Sequence, residues 1–168
     1  MRIRRARVTP FALRLRAPLV TAHGCSEQRS GWLLELVADD GQTGLGEASP
    51  LAGFGLESLA EAGAALAVLA RGVLGSDALC AGAGGLEELL TRAAAAAPAA
   101  PAARAALDSA LHDLVARQAG CSVAAWLAAR AGRFVVRDDA NRDRNVGIKH
   151  ESNFLAGLGL DAHGGGPA

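Results

Sequence analysis

One segment, Gly44 to Gly55, divides this chain into two differently patterned parts and constrains its fold more than any other. Four glycines, one proline and one aromatic residue stand among its twelve positions. Glycine accepts positive φ and proline ends strand pairing, so the composition predicts a strand that runs into a shaped loop. Loops of this build often contact ligands, and an ordinary strand-to-helix connection has the same composition.

The part before this segment is patterned as β-structure. Phe11, Leu13 and Leu15 alternate with smaller or charged residues, which predicts a half-buried strand. Pro10 indicates a bend or an edge position in that strand. The stretch from Pro18 to Ser30 lacks periodicity and predicts a long polar loop.

Two more strands are predicted after that loop. Trp32 to Ala38 resumes the β pattern, and Asp39 to Gln42 is typical of a tight turn that folds Thr43 to Glu47 back. We therefore expect a small antiparallel meander of three strands.

The part after the segment is alanine-rich and helical. Apolar spacing predicts helices from about Glu57 to Arg71, near Gly85 to Ala97 and from Pro101 to Gln118, with a flexible connector at Gly82 to Gly85. Ser122 is placed to cap a short last helix. The predicted fold class is α+β: a three-stranded antiparallel meander followed by a bundle of three to four helices, with no TIM barrel.

The composition changes again beyond Gly132. All three asparagines and the single lysine, Lys149, lie in that last stretch. We expect a domain over residues 1–132 and a non-homologous, disordered tail over 133–168, such as a frame change in the gene would produce.

Charge and hydropathy exclude several classes of partner. Seventeen basic and seventeen acidic side chains cancel, so no net field recruits nucleic acid or an anionic membrane. The arginines near the N-terminus alternate with apolar residues, as on the solvent face of a strand. No stretch approaches the length of a membrane span or a signal peptide, and we expect a cytoplasmic protein.

Chemical motifs are largely missing from the sequence. Cys25, Cys80 and Cys121 are far apart and are expected to be reduced thiols. Asp108 and His112 stand one helical turn apart, but no third metal ligand is evident. The sequence contains neither a phosphate-binding loop with its lysine nor a nucleophile elbow. We therefore expect no self-sufficient active site and no catalytic or metal-binding residue.

Four stretches together carry a resemblance to a known family. They are a strand end at Gly44–Ala48, a loop at Pro50–Gly55, a helix at Ala103–Leu114 and a closing segment at Ala119–Leu127. Over residues 3–130 the chain resembles the N-terminal capping domain of the enolase superfamily, in its mandelate racemase and muconate lactonising branch. The loop is most similar to that of o-succinylbenzoate synthases, with dipeptide epimerases and related racemases behind them.

The resemblance implies a division of labour between two domains. In such enzymes a C-terminal barrel holds Mg²⁺ on three acidic residues and uses lysines as acid and base, while the capping domain closes two loops over a small carboxylate substrate. Those loops would be Val20 to Arg29 and Pro50 to Gly55. The residues it assigns to substrate contact are Thr21, His23, Gly24, Arg29, Pro50, Gly53 and Phe54.

Plainer interpretations of the same residues stay open. Phe54 suits an apolar wall or simple packing, and Arg29 or His23 suits a substrate carboxylate, although Arg29 also fits an exposed strand-end charge. Glu47 fits a local hydrogen-bond acceptor.

No barrel is recognisable in the sequence, since no Lys-x-Lys pair or series of acidic strand ends is present. We expect a truncated o-succinylbenzoate synthase-like protein of the menaquinone pathway, inactive alone and without its own Mg²⁺. A dipeptide epimerase or other racemase fragment is the alternative. Another is a stand-alone module that binds a protein, or itself, through the face that would dock on a barrel.

Overall fold

The computed structural model describes residues 1–22, 24–51, 57–76 and 83–131. The strands are β1 (Ile3–Thr21), β2 (Gly24–Ala38) and β3 (Thr43–Ala48), and the helices are α1 (Leu59–Gly72), α2 (Ala83–Ala96), α3 (Pro101–Gln118) and α4 (Val123–Arg130). The chain divides into two compact units, Met1–Val115 and Ala116–Ala168. The predicted α+β class is confirmed, with an open sheet followed by four helices. The predicted tail lies outside the described residues.

The sheet is an antiparallel meander in the order β1-β2-β3. The predicted turn joins β2 to β3: Gly41 has φ 84°, and the Ala38 N–H donates to the Gln42 carbonyl at 2.9 Å. Pro10 lies opposite Trp32 within β1. Its missing N–H is tolerated because β1 is an edge strand of this sheet, as the sequence predicted.

The long polar loop expected from Pro18 to Ser30 is wrong. Both β1 and β2 continue through that stretch, and Thr21 pairs with Gly24 at the end of a long hairpin. The alternation of apolar and polar residues is lost there because both faces of the hairpin arm are largely exposed, so backbone pairing alone defines it. The register shifts between Arg14 and Leu19, where Pro18 interrupts regular pairing.

Leu13 also departs from the predicted half-buried pattern. Its flanking apolar residues Phe11 and Leu15 are half-buried, whereas Leu13 is 62% exposed. It pairs with Arg29 on the hairpin arm, where most residues are exposed.

Helix α1 begins at a capping box. The Ser58 hydroxyl accepts from the Glu61 N–H, and the Glu61 carboxylate accepts from the Ser58 N–H at 2.7 Å. That backbone hydrogen bond lowers the pKa of Glu61 below its usual 4.5. The predicted start at Glu57 is therefore two residues early, because Glu57 and Ser58 precede the helix.

The flexible connector predicted at Gly82–Gly85 is wrong for Ala83 to Gly85, which are helical. Ala83 to Gly85 form the first turn of α2, while Gly82 lies outside the described residues. A first turn tolerates glycine because its N–H groups have no partners within the helix. The predicted start of α3 at Pro101 is confirmed.

The core of the first unit lies between one face of the sheet and its helices. Its fully buried large side chains are Ile3, Leu34, Leu36, Leu66, Leu86, Leu107, Leu111 and Leu114. The predicted apolar face of α3 is thus largely confirmed.

Two glycines let β3 approach α3 very closely. A Cβ at Gly44 would lie 2.7 Å from the Leu114 Cβ, and a Cβ at Gly46 would overlap the Ala106 carbonyl oxygen. The Leu45 N–H between them donates to Asp113 Oδ2 at 3.0 Å. The backbone of β3 therefore packs directly against the backbone of α3.

The second unit is described over residues 116–131. Gly120, with φ 67°, ends α3, and the Ser122 hydroxyl caps α4 by accepting from the Ala125 N–H. The predicted cap at Ser122 is confirmed. Trp126 is buried, and the Arg130 guanidinium lies 5.8 Å from the centre of its ring.

Replacing Gly46 with Ala is expected to lower the free energy of unfolding by about 1–3 kcal/mol, because the added methyl group overlaps backbone that cannot move aside. The matched control is Gly72→Ala at the end of α1, where a Cβ meets nothing within 4 Å. That control should be neutral or stabilising by up to about 1 kcal/mol. Urea unfolding of both variants measures the difference, and equal stabilities would contradict the close approach.

Candidate functional site

The candidate site is built from the tip of the β1–β2 hairpin and the chain that follows β3. The family resemblance implies substrate contact for residues in these two segments. Thr21, Gly24, Arg29 and Pro50 are described, whereas His23, Gly53 and Phe54 lie outside the described residues.

The hairpin tip is closed by local contacts. Thr21 pairs with Gly24, and the Thr21 hydroxyl donates to the Gly24 carbonyl at 3.1 Å. Gly24 has φ 131°, a conformation that favours glycine. The tip thereby presents apolar side chains to solvent, with Val20 76% exposed and Leu19 44% exposed.

The chain that follows β3 is tied to β2 by Arg29. The Arg29 Nη2 donates to the Ser49 carbonyl at 2.6 Å, and the Ser49 hydroxyl donates to Glu47 Oε1. Arg29 is half-buried, so its interpretation as a fully exposed strand-end charge does not describe it. Glu47 is a local hydrogen-bond acceptor, as its plainer interpretation held.

Gly31 completes this arrangement on the sheet face that points away from α3. A Cβ at Gly31 would lie 2.6 Å from the Phe11 ring and would overlap the Ser49 hydroxyl. The missing side chain leaves room for both groups over β2. We name Phe11, Arg29, Gly31, Glu47 and Ser49 the strand-end cluster.

Glu57 anchors the chain on the other side of residues 52–56. The residue is only 8% exposed, and its Oε1 accepts from the Ala102 N–H in the first turn of α3. A carboxylate suits that position because the first helical N–H groups lack partners and carry partial positive charge. Its Oε2 is buried without a hydrogen-bond partner.

Trp32 adds a third tie near the start of α1. Its Nε1 donates to the Leu59 carbonyl at 2.8 Å. A Cβ at Gly63 would lie 2.5 Å from the Trp32 ring, so the glycine lets the ring lie flat against the helix.

Sequence reasoning missed Ser49, Gly31 and Glu57. For Glu57 no local signal existed, since its partner Ala102 lies 45 positions further along the chain. For Gly31 and Ser49 the signal is the strand register: Trp32 pairs with Ala48, so Gly31 and Ser49 come next to each other.

The chemistry of the strand-end cluster suits orientation and not bond making. It offers one guanidinium, one carboxylate and one hydroxyl, all engaged with each other or with backbone. Among the described residues, no group of three or more His, Cys, Asp or Glu side chains could hold a metal ion. His112 Nδ1 does lie 2.6 Å from Asp108 Oδ1, as one turn of helix allows, but only two groups meet there.

An apolar cavity of about 130 Å³ lies elsewhere in the first unit, among α1, α2 and α3. Its lining residues are Val68, Leu69, Gly72, Val73, Leu89, Arg92, Ala93, Ala96 and Leu107. Arg92 is the only charged side chain among them, so the cavity holds no acid and base pair.

Within the described part of the chain, no helix combines the length and hydropathy that crossing a bilayer requires. The two described cysteines, Cys25 and Cys121, are free thiols. Burial raises the pKa of the Cys121 thiol above its usual 9.0.

A three-stranded antiparallel meander followed by helices is consistent with a capping domain. Residues 3–127 match the family described as mandelate racemase / muconate lactonizing enzyme, N-terminal domain. The chain belongs to that family and thereby to the enolase superfamily.

Solved structures give the same result. A dipeptide epimerase from Methylococcus capsulatus, complexed with Mg and L-Arg-D-Lys, is 38% identical with a TM-score of 0.64, covering 71% of this chain and 33% of that one. A mandelate racemase/muconate lactonizing protein from Herpetosiphon aurantiacus is 28% identical with a TM-score of 0.61, covering 70% and 31%.

A third structure shows likeness of fold alone. It is a dipeptide epimerase from Cytophaga hutchinsonii, 24% identical with a TM-score of 0.69, covering 76% of this chain and 33% of that one. The chain thus spans about a third of the length of these relatives. No curated protein sequence matches it. The Mg of the epimerases has no fitting ligand set among the described residues here.

Replacing Glu57 with Ala is expected to lower the free energy of unfolding by about 1–3 kcal/mol, because the Ala102 N–H loses its acceptor in a buried place. Glu57→Gln keeps an acceptor oxygen and should lose less. Urea unfolding at neutral pH compares the three proteins. Equal losses in both variants would show that the hydrogen bond to α3 is not what Glu57 contributes.

Proposed function

We propose that residues 3–127 act as the capping, substrate-selecting domain of an enolase-superfamily enzyme of the epimerase or racemase type. The observation that carries this proposal is the 38% identity to a dipeptide epimerase over 71% of this chain. The similar solved structures whose activity is named are mostly dipeptide epimerases and racemases. This supports the alternative of the sequence analysis better than its o-succinylbenzoate synthase reading.

In this proposal the hairpin tip and the chain after β3 cover a small carboxylate substrate. Thr21, His23 and Gly24 would belong to one lid, Arg29 to its base, and Pro50, Gly53 and Phe54 to the other lid. The exposed apolar side chains of Leu19, Val20 and Leu51 support the assignment, since apolar groups at a closing lid exclude water from the reaction.

The chemistry itself would take place outside residues 3–127. In the superfamily, Mg²⁺ stabilises the charge that develops when a proton beside a carboxylate is removed. The described residues offer no group of three or more side chains that could hold that metal, so we derive no catalytic step for them. Their contribution would be to select the substrate and to exclude water.

An o-succinylbenzoate synthase, a lyase of menaquinone biosynthesis, is the second candidate. The specific observation in its favour is the sequence from Ala48 to Phe54, which is most similar to that of such synthases. Both candidates use the same two lids and differ in the substrate beneath them. We propose a cytoplasmic location for either, supported by the free thiols of Cys25 and Cys121.

The purified chain is expected to show no turnover with Mg²⁺ and dipeptides, N-succinyl amino acids or the synthase substrate, because its described residues contain no group of side chains that could hold the metal ion. A chimera in which residues 3–127 replace the capping domain of the Methylococcus capsulatus epimerase should turn over dipeptides. Its preference among dipeptides should differ from that of the parent epimerase. For the purified chain and the chimera, NMR measures exchange of the α-proton of dipeptides and N-succinyl amino acids with deuterium. Loss of the synthase substrate is measured separately.

Two results would contradict the proposal. Turnover by the purified chain alone would show that it carries its own active site. A folded chimera whose preference among dipeptides equals that of the parent epimerase would show that residues 3–127 do not select the substrate.

We also propose self-association through exposed apolar surface. Leu33 and Leu45 lie on the sheet face away from α3 and are 43% and 50% exposed, and exposed apolar patches are common sites of protein contact. The purified chain should therefore form dimers or larger species by light scattering, and Leu45→Lys should reduce them. A monodisperse monomer at all concentrations would refute self-association.

A further inference from the structure

Arg29 joins the two segments of the candidate site through a single hydrogen bond. It belongs to the β2 arm of the hairpin, five residues after Gly24, and its Nη2 donates to the carbonyl of Ser49 at 2.6 Å. Ser49 is the first residue after β3 and directly precedes Pro50. A charged donor at this distance makes one of the stronger hydrogen bonds in proteins.

The Ser49 side chain makes two further contacts beside this hydrogen bond. The Ser49 hydroxyl donates to Glu47 Oε1, which fixes the side chain over β3. The absence of a side chain at Gly31 lets the Ser49 hydroxyl and the Phe11 ring lie over β2. Glycine at this position therefore leaves room for the Ser49 hydroxyl beside the Arg29 hydrogen bond.

Engagement with backbone changes what the guanidinium can contribute. A group that only met a substrate carboxylate would be expected to project freely from the hairpin tip. Arg29 instead is half-buried and reaches across the sheet face toward β3. Its charge is directed at a peptide carbonyl, and the hairpin and the Pro50 segment are thereby connected.

We propose that Arg29 is a positioning residue: it holds the hairpin tip and the Pro50 segment in one arrangement, and this is its contribution to substrate selection. That contribution rests on the proposed capping function. The coupling between the two segments is a property of the chain alone and does not need a substrate.

The distance between the two segments can be measured directly with spin labels. One label goes on Cys25, which is exposed beside the hairpin tip, and the other on a Leu51→Cys variant, since Leu51 is 38% exposed. Cys80 and Cys121 are replaced with Ser in the full-length chain. Pulsed electron paramagnetic resonance then gives the distribution of distances between the two spin labels.

Arg29→Ala is expected to broaden that distribution by about twofold, because the loss of one anchoring hydrogen bond frees a surface segment. Arg29→Lys, which can still donate to the Ser49 carbonyl, should restore most of the narrow distribution. The matched control is Arg14→Ala on the same hairpin, an exposed arginine paired in register with Gln28. That variant should leave the distribution unchanged.

Gly31→Ala provides the same test without altering Arg29. Its methyl group would push Ser49 and Phe11 away from β2, so it should broaden the distribution as Arg29→Ala does. Circular dichroism shows whether Arg29→Ala is folded. If it is not, Gly31→Ala replaces it as the test variant.

An unchanged distribution in folded Arg29→Ala, or equal broadening in Arg14→Ala, would overturn the proposal. Either result would leave the capping function standing, because the measurement contains no substrate and no barrel. Conversely, turnover by the chain alone would refute the capping function and leave the measured coupling intact.

Discussion

The close approach of β3 to α3 is the constraint on which the rest of the first unit depends. Gly44 and Gly46 place the strand directly against helix backbone, where no side chain fits. Leu107, Leu111 and Leu114 on the same helix are then fully buried. Because β2 is paired to β3 along six residue pairs, its position follows from that contact, and so does the face on which Leu34 and Leu36 enter the core.

The candidate site is a consequence of how β3 ends. On one face of the sheet, Gly44 and Gly46 lie directly against α3. On the other face, Arg29, Glu47 and Ser49 lie around Gly31, which has no side chain. Glu57 then fixes the chain to the N-terminus of α3 on the far side of residues 52–56. Rigid elements on both sides hold the ends of the segment to which the family resemblance assigns substrate contact.

The fold was predictable from sequence because its signals are local. Alternating residues marked the strands, Asp39 to Gln42 marked the turn, and Pro101 and Ser122 marked helix starts. The hairpin arm escaped prediction because exposed strands carry no apolar alternation, and backbone pairing leaves no trace in side-chain type.

The candidate site was predictable only in part. Family resemblance named the segments, but the tie between Arg29 and Ser49 depends on strand register, and the tie between Glu57 and Ala102 joins residues 45 positions apart. Contacts of that kind arise from packing, which the spacing of residues in a sequence does not reveal.

The contact between Asp113 and the Leu45 N–H has a consequence for how the sheet can grow. A carboxylate occupies a backbone donor on the outer edge of β3, where an added strand would have to pair. The opposite edge, along β1, is interrupted by Pro10 and Pro18 and bears several arginines. Both borders of this small sheet therefore carry features that disfavour extension by a foreign strand.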